Sequence, residues 1–506
     1  MSENSITETL SSLKTAVEVN PSVDKFWFSY IDALIKAKQF VTAKQVVAEA
    51  HKRGVNKKRL KSLLQNREYT NQKENIEKDF PSEELINQLL NNFENGNTKT
   101  AEQLAKNIIQ EFPKHQLSWK ILGLLLTKMG RVSDALYASK KSLDLNPKDP
   151  DAYNNLGIVF QDLAQYHQAE LSFKQAISLH QTHPQAFYNL GITQKKLQKF
   201  DEAKLSYEQA IFLQPNYAEA HHNLGNVNVE LGQLEEAESN FKNAIHHKPN
   251  LACAHYNLGK LYIDTGQIDN AKNCFEKTLE FNPSDMFGAA LQLARLGRRA
   301  IPEKTPEAYM KEFYKQKSQL LVSEEVYRGH HMIEDAFKSI RNINNELNIL
   351  DLGCGTGGLA DIFRPFSERL VGVDLSPEMI LEAEKKDVYD ELHRMDLLLF
   401  LKSQSKNYDI IVAGAVLIHF SGLEQIFKLI ASRLEESGRF LFTIFEEKEK
   451  EKHLNSFLLY SHSEQYISAL TNDFGLQITY KKNDIHEFHK GKPIQGIAYV
   501  LEKCLK

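Results

Sequence analysis

The chain has 506 residues, too many for one ordinary domain, and its 42% hydrophobic and 25% charged residues are those of a soluble globular protein. With 62 basic and 66 acidic side chains the formal net charge is −4, which excludes the basic excess of a dedicated nucleic-acid binder. The scattered cysteines, Cys253, Cys274, Cys354 and Cys504, exclude a disulfide framework or a zinc site and fit a reducing compartment.

The chain opens MSENSITETL, with neither a basic start nor an apolar run, so no secretory leader is expected. No stretch approaches the ~20 apolar residues of a membrane-spanning helix. The expectation is a soluble, cytoplasmic protein with no nucleic-acid or membrane partner and no metal. Glycine (24) and proline (14) are sparse, which predicts a largely helical chain. Residues 1–65 read as helices. Within them PSVDKFWFSYIDALIKAKQFVTAKQVVAEA places Trp27, Ile31, Ala43 and Ala50 at offsets that recur more clearly further on. Residues 66–81, polar through NQKENIEKDF, read as a linker.

From residue 82 a period of 34 sets in. Gly123, Gly157, Gly191, Gly225 and Gly259 keep it, as do Ala101, Ala135, Ala169, Ala203, Ala237 and Ala271. So do Pro113 and Pro147, then Pro215, Pro249 and Pro283, with Gln181 at the missing step. Trp119 stands four residues before the first of those glycines. This register resembles the tetratricopeptide repeat family, over six units spanning 82–284. The resemblance implies a helix–turn–helix per unit, close helix approach at Gly and Ala, and a proline that stops each unit. Such units bury their apolar faces only by stacking into a solenoid. SDMFGAALQLARLGRRA within residues 285–304 then reads as a capping helix and linker.

Asn155, Asn189, Asn223 and Asn257 stand two residues before four of the glycines. A carboxamide offers both a donor and an acceptor, so such a row suits the backbone of an extended peptide. The repeats of O-linked N-acetylglucosamine transferase, to which this stretch is similar, carry the same array. Asn is also simply common at this position of consensus repeats, and both readings stay open. Tyr188, His222 and Tyr256 directly precede three of these asparagines; they suit either ligand stacking or cover for neighbouring helices.

From about Thr305 the period stops. Apolar runs at Asn348–Leu352, Leu370–Asp374, Tyr408–Ala413 and Gly438–Phe445 alternate with amphipathic stretches, which predicts a parallel sheet with helices on both faces. Gln477–Tyr480 and Ile494–Leu501 read as closing strands, antiparallel at an edge. In such sheets ligands bind at the carboxyl ends of the strands. The first strand runs into Asp351-Leu352-Gly353-Cys354-Gly355-Thr356-Gly357, the second ends at Asp374, and a third, HRMD, ends at Asp396. Glycines allow a sharp turn and close ligand approach. Asp374 can accept both hydroxyls of a ribose, and Asp396 the amino group of adenine. Gly353, Gly355 and Gly358 also satisfy the dinucleotide spacing G-x-G-x-x-G, a weak signal alone. Asp351 separates the readings: it repels a pyrophosphate but suits a ligand with an ammonium group, such as S-adenosylmethionine.

ILDLGCGTGGLA, VGVDLSPEMILEA, HRMDLLLFL and YDIIVAGAVLIHF together resemble the class I S-adenosylmethionine-dependent methyltransferases, over residues 305–506. The resemblance implies an α/β Rossmann-like domain with S-adenosylmethionine as cofactor. It implies that Asp351, Gly353, Gly355 and Gly357 line the methionine side, that Asp374 holds the ribose with Leu375 against the adenine, and that Asp396 with Met395 holds the adenine edge. The stretch TPEAYMKEFYKQKSQLLVSEEVYRGHHMIEDAF looks like the lead-in of a methyltransferase subgroup fused to such repeats, with Phe313-Tyr314-Lys315 departing from the usual pattern. His330, His331, His419 and His462 are candidate bases; a surface or structural histidine is the bland alternative for each. Cys354 reads as a small side chain in a tight loop, not a nucleophile. The expected protein is a multidomain one: an all-α solenoid that recruits a protein or peptide, followed by a methyltransferase of unknown acceptor. The alternatives are a small-molecule methyltransferase acting on a carboxylate or thioester, and a non-catalytic adaptor.

Overall fold

A computed structural model describes residues 3–21, 23–37, 39–55, 60, 80–318, 327–340, 346–489 and 492–504. Most of the expected linker, 66–79, lies outside the described residues. The chain divides into two compact units, Met1–Pro215 and Asn216–Lys506.

The first unit is helical. Glu3–Val19, Asp24–Lys36 and Phe40–Lys52 pack around Trp27, Ile31, Leu34, Ala43 and Ala50. The Trp27 indole N–H donates to the Pro21 carbonyl at 2.9 Å, and Trp119 does the same to Pro113 at 2.9 Å. The same six-residue step thus links the N-terminal helices to the repeats. Helix pairs follow: Glu83–Glu94 with Thr98–Glu111, Gln116–Lys128 with Val132–Leu145, Pro150–Asp162 with Tyr166–Leu179, and Pro184–Lys196 with Phe200–Leu213. Each glycine of the period marks a helix contact. A Cβ at Gly157 would lie 2.5 Å from the Phe173 ring, and one at Gly191 2.7 Å from Tyr207. Both rings are fully buried, so the helices approach as closely as they do only because the glycines lack side chains. Second helices end two residues before Pro113, Pro147 and Pro215. Leu179 ends its helix at the same place although Gln181 stands where proline would.

The second unit begins with two more pairs, Ala218–Glu230 with Leu234–His247 and Ala252–Asp264 with Ile268–Phe281. Next comes the short helix Ala289–Arg295, capped by Asp285, whose carboxylate accepts from Ala289 N at 2.6 Å and Ala290 N at 3.1 Å. Ala289 and Leu293 pack with Leu258 and Phe275 of the last pair, while Leu291 and Ala294 pack with Leu454, Leu458 and Tyr460 of the sheet region. The helix is apolar on both sides because both sides are covered.

The sheet comprises β1 Leu347–Leu352, β2 Ser367–Asp374, β3 Glu391–Arg394, β4 Tyr408–Ala413, β5 Leu434–Glu447, β6 Lys452–Leu454, β7 Tyr460–Ser463, β8 Leu476–His489 and β9 Lys492–Lys503. Its order is β3-β2-β1-β4-β5-β7-β6, and β9 lies antiparallel to both β5 and β8. The pairs β1–β2, β1–β4, β2–β3 and β4–β5 are parallel. Of these, β1, β2, β4 and β5 carry apolar runs because both faces are buried, whereas the edge strand β3, ELHR, is polar and partly exposed. One face packs on the helices Leu397–Ser403, Glu424–Arg433 and Glu464–Asp473, the other on Gly329–Lys338 and Ala360–Phe363. The closing strands form the expected antiparallel hairpin. The short polar strands β6 and β7 are visible only in the structure.

Candidate active site

The carboxyl ends of β1, β2, β3 and β4 open into one cavity with about 1120 Å³ of empty space, part of it open to solvent. The turn after β1 builds one wall. Gly353 N and Cys354 N both donate to the Val373 carbonyl, at 2.7 and 3.1 Å, folding the loop back over the end of β2. Gly353, Gly355 and Gly357 have φ of 71°, 55° and 76°, a left-handed backbone that favours glycine. Among the described residues a Cβ at Gly355 would meet nothing within 4 Å, so they leave this point of the wall open to a ligand.

Asp374, at the end of β2, is held by its own loop. Oδ2 accepts from Gly355 N at 3.0 Å and Oδ1 from Ser376 N at 2.8 Å. Burial pushes its carboxyl up, and the backbone donors partly offset that. The two carboxylate oxygens have four lone pairs between them, so the group keeps acceptor capacity beyond its backbone donors. Leu375 and Met395 line the same cavity. Asp396 caps the helix Leu397–Ser403: Oδ1 accepts from Leu398 N at 2.9 Å and Leu399 N at 3.2 Å, while Oδ2 lies 3.1 Å from Lys304 Nζ. Asp374 and Asp396 are the carboxylates among the lining residues.

Asp351 and Gly357 are not in the cavity wall. Asp351 is buried behind the loop, where the Tyr389 hydroxyl donates to Oδ2 at 2.7 Å and Oδ1 has no hydrogen-bond partner among the described residues. Burial pushes its carboxyl up to about 7, Tyr389 opposing this and Asp374 adding to it. Gly357 instead makes room for Tyr389, 3.1 Å from where its Cβ would be.

The four histidines separate. His419 and His330 line the cavity; His331 is exposed beside Glu334. His462 is fully buried in β7, ring-stacked on Tyr466 at 5.7 Å, and its imidazole is pushed down to about 4 by burial. It is a core histidine and not a candidate base of the cavity. Burial pushes the Cys354 thiol well up, which keeps it protonated and unreactive.

Sequence reasoning missed what His419 touches. The Tyr314 hydroxyl lies 2.7 Å from His419 Nε2, and Thr305 Oγ1 lies 3.3 Å from Nδ1. Tyr314 and Tyr327 line the cavity, and burial pushes both phenols up. Tyr314 and His419 are 105 residues apart, so no local spacing could join them.

The repeat asparagines take different places. In the first unit Asn189 is buried and its amide donates to Asn154 Oδ1 at 3.0 Å, while Asn155 is half-exposed. In the second unit the Asn257 amide donates to Asn226 Oδ1 at 2.8 Å and lies 3.0 Å from His222 Nε2. Asn223 is half-exposed. The Tyr256 ring stacks on Phe287 at 5.7 Å and tilts against Phe275 at 5.6 Å, so it covers neighbouring segments.

Comparison with known proteins matches this layout. A methyltransferase-domain family matches residues 322–479. Tetratricopeptide repeat families match 123–163, 151–183, 195–232 and 228–294. The chain is 27% identical over 136 residues to the probable S-adenosylmethionine-dependent methyltransferase CRG1 of Saccharomyces cerevisiae, covering 25% of this chain and 46% of that one. It is 31% identical over 146 residues to the malonyl-(acyl-carrier protein) O-methyltransferase of Priestia megaterium, covering 28% and 52%. The chain thus spans about half the length of the curated relatives it matches. Among solved structures, MamA is similar at 28% identity over 32% of this chain and 95% of that one, with a TM-score of 0.30. Among the described residues no helix is long and apolar enough to cross a membrane.

Proposed function

We infer that this chain, which joins tetratricopeptide repeats to a methyltransferase domain, transfers a methyl group from S-adenosylmethionine to an acceptor that its repeats help recruit. The observation that carries the reading is the shared cavity at the strand ends, with Asp374, Asp396 and the open wall at Gly355 facing one space. These residues suit the cofactor. Asp374 keeps acceptor capacity for a ribose hydroxyl, with Leu375 beside it for the adenine face and Asp396 with Met395 for the adenine edge. Gly353 and Gly355 would border the methionine part. Asp351, buried behind the loop, would act on the ammonium group through its charge and not by direct contact.

When bound, S-adenosylmethionine supplies an electrophilic methyl group with a good leaving group. The residues of this chain then chiefly orient the acceptor and exclude water. Tyr314, hydrogen-bonded to His419, stands in the cavity wall as the group that would hold an acceptor oxygen and, through His419, take its proton. The repeats would bring a protein or peptide, with Asn155, Asn189, Asn223 and Asn257 as the proposed contacts. Because Asn189 and Asn257 already donate to neighbouring repeats, half-exposed Asn155 carries more of that proposal. A second reading is a small-molecule carboxylate or thioester as acceptor, favoured by the similarity to the malonyl-(acyl-carrier protein) enzyme. A cytoplasmic location accords with the free cysteines.

Titration calorimetry of the full chain with S-adenosylmethionine tests the cofactor. Measurable heat is expected, and its absence would leave only a repeat adaptor. Radiolabelled methyl groups traced in lysate then separate the acceptors: label in protein bands supports repeat recruitment, label in small metabolites the second reading.

A further inference from the structure

We propose that Lys304, on the strap leaving the last repeat and outside the segment that matches the methyltransferase family, is a positioning residue that tunes recognition of the cofactor's adenine. The inference rests on the reading of Asp396 as the adenine acceptor.

The strap is laid onto the sheet domain residue by residue. The Pro302 carbonyl accepts from the Tyr460 hydroxyl at 2.8 Å. Glu303 O accepts from Ser421 N at 2.8 Å, and Thr305 N donates to His419 O at 2.8 Å. Thr305 is fully buried, with its hydroxyl on the His419 ring. Lys304 is therefore carried on a backbone tied down on both sides. It lines a second cavity, separated from the first by Phe420, which lines both. From there its ammonium reaches Asp396 Oδ2 at 3.1 Å.

That contact matters for what Asp396 can offer. Oδ1 already accepts two backbone N–H groups. Oδ2 is the oxygen left to meet an adenine amino group, and Lys304 takes one of its two lone pairs. With Oδ1 fixed by the helix and Oδ2 by Lys304, the remaining lone pair has one direction. Without Lys304 the carboxylate loses that second constraint. The Lys304 side chain is 48% exposed, so solvent weakens the pair and the effect is a tuning of a few-fold.

The test compares S-adenosylhomocysteine with S-inosylhomocysteine, which carries oxygen in place of the adenine amino group, by calorimetry on the full chain. The wild-type protein should prefer the adenosyl ligand. Lys304→Gln should narrow that preference about threefold, the worth of a partly exposed pair. Its melting temperature should stay unchanged, and Lys304→Arg should restore the preference. Asp396→Asn serves as the control and should abolish the preference. If Asp396→Asn abolishes it while Lys304→Gln leaves it at the wild-type ratio, the role of Lys304 is overturned and that of Asp396 stands. If Asp396→Asn leaves it intact, the reading of Asp396 itself fails and this inference with it.

Discussion

The repeats and the sheet domain use polar residues in opposite ways. In the repeats Gly157 and Gly191, 34 residues apart, meet the rings of Phe173 and Tyr207, themselves 34 apart, and Trp27 and Trp119 each donate to a carbonyl six residues back. Asn189 and Asn257 donate to other carboxamides one repeat away. In the sheet domain Asp351, Asp374 and Asp396 each occur once, at a strand end, and each keeps acceptor capacity beyond its protein partners. Recurrence marks what holds the molecule together, whereas the singular polar group at a strand tip marks its chemistry.

The sharpest way to break this contrast is to strike each region and read the other. Phe173→Ala removes a fully buried ring wedged against Gly157. It should cost the first unit about 3–5 kcal/mol, seen as a lower urea midpoint, and leave the affinity for S-adenosylmethionine unchanged. Asp374→Ala should do the reverse. Loss of charge-assisted hydrogen bonds of about 1.5–3 kcal/mol should weaken binding by about 100-fold in calorimetry at an unchanged midpoint. A shared loss in either variant would dissolve the distinction.

Proton linkage sharpens it next. The Asp351 carboxyl is raised to about 7 by burial, above its ordinary value of ~3.9. Its ionised form therefore opposes folding, and this opposition grows as pH rises from about 4 to 7. The same ionised form is the one that attracts an ammonium group. Affinity for S-adenosylmethionine should fall as pH drops below about 7, by up to about tenfold per unit. Asp351→Asn should flatten that profile and stabilise the unliganded protein at pH 8. A pH-independent affinity in the wild type would remove Asp351 from the site.

The smallest effect separates two asparagines of one array. Asn189→Ala strands Asn154 in a buried place and should cost about 1–3 kcal/mol. Asn155→Ala, at a half-exposed position, should change stability by less than about 0.5 kcal/mol. Equal costs would mean that burial does not distinguish them.

How much of this was legible in sequence follows the same contrast. The helix pairs, the parallel strands and the glycine turn were readable because each has a local period or motif. The terminal helix of the repeats was readable as a helix, but its environment was not: Leu291 and Ala294 meet Leu454 and Leu458, more than 150 positions away along the chain. Asp374 and Asp396 stand in the cavity because strand ends put them there. Asp351, adjacent to the same loop, faces Tyr389 instead, which only the close approach at Gly357 explains. Tyr314 left no signal, since its importance comes from His419. The asparagine row is regular in sequence, yet the side chains differ in burial because their neighbours, Asn154 and Asn226, do not recur in the same way.

The helix Ala289–Arg295 also bears on how the protein can be divided. Severed at Thr305, the sheet domain would present Leu454, Leu458 and Tyr460 bare to water and would lose Lys304. Self-association should follow. A fragment starting near Asn216 carries its own apolar cover and should stay monodisperse on gel filtration, so the smallest autonomous piece that holds the sheet domain includes part of what looks, by periodicity, like another protein.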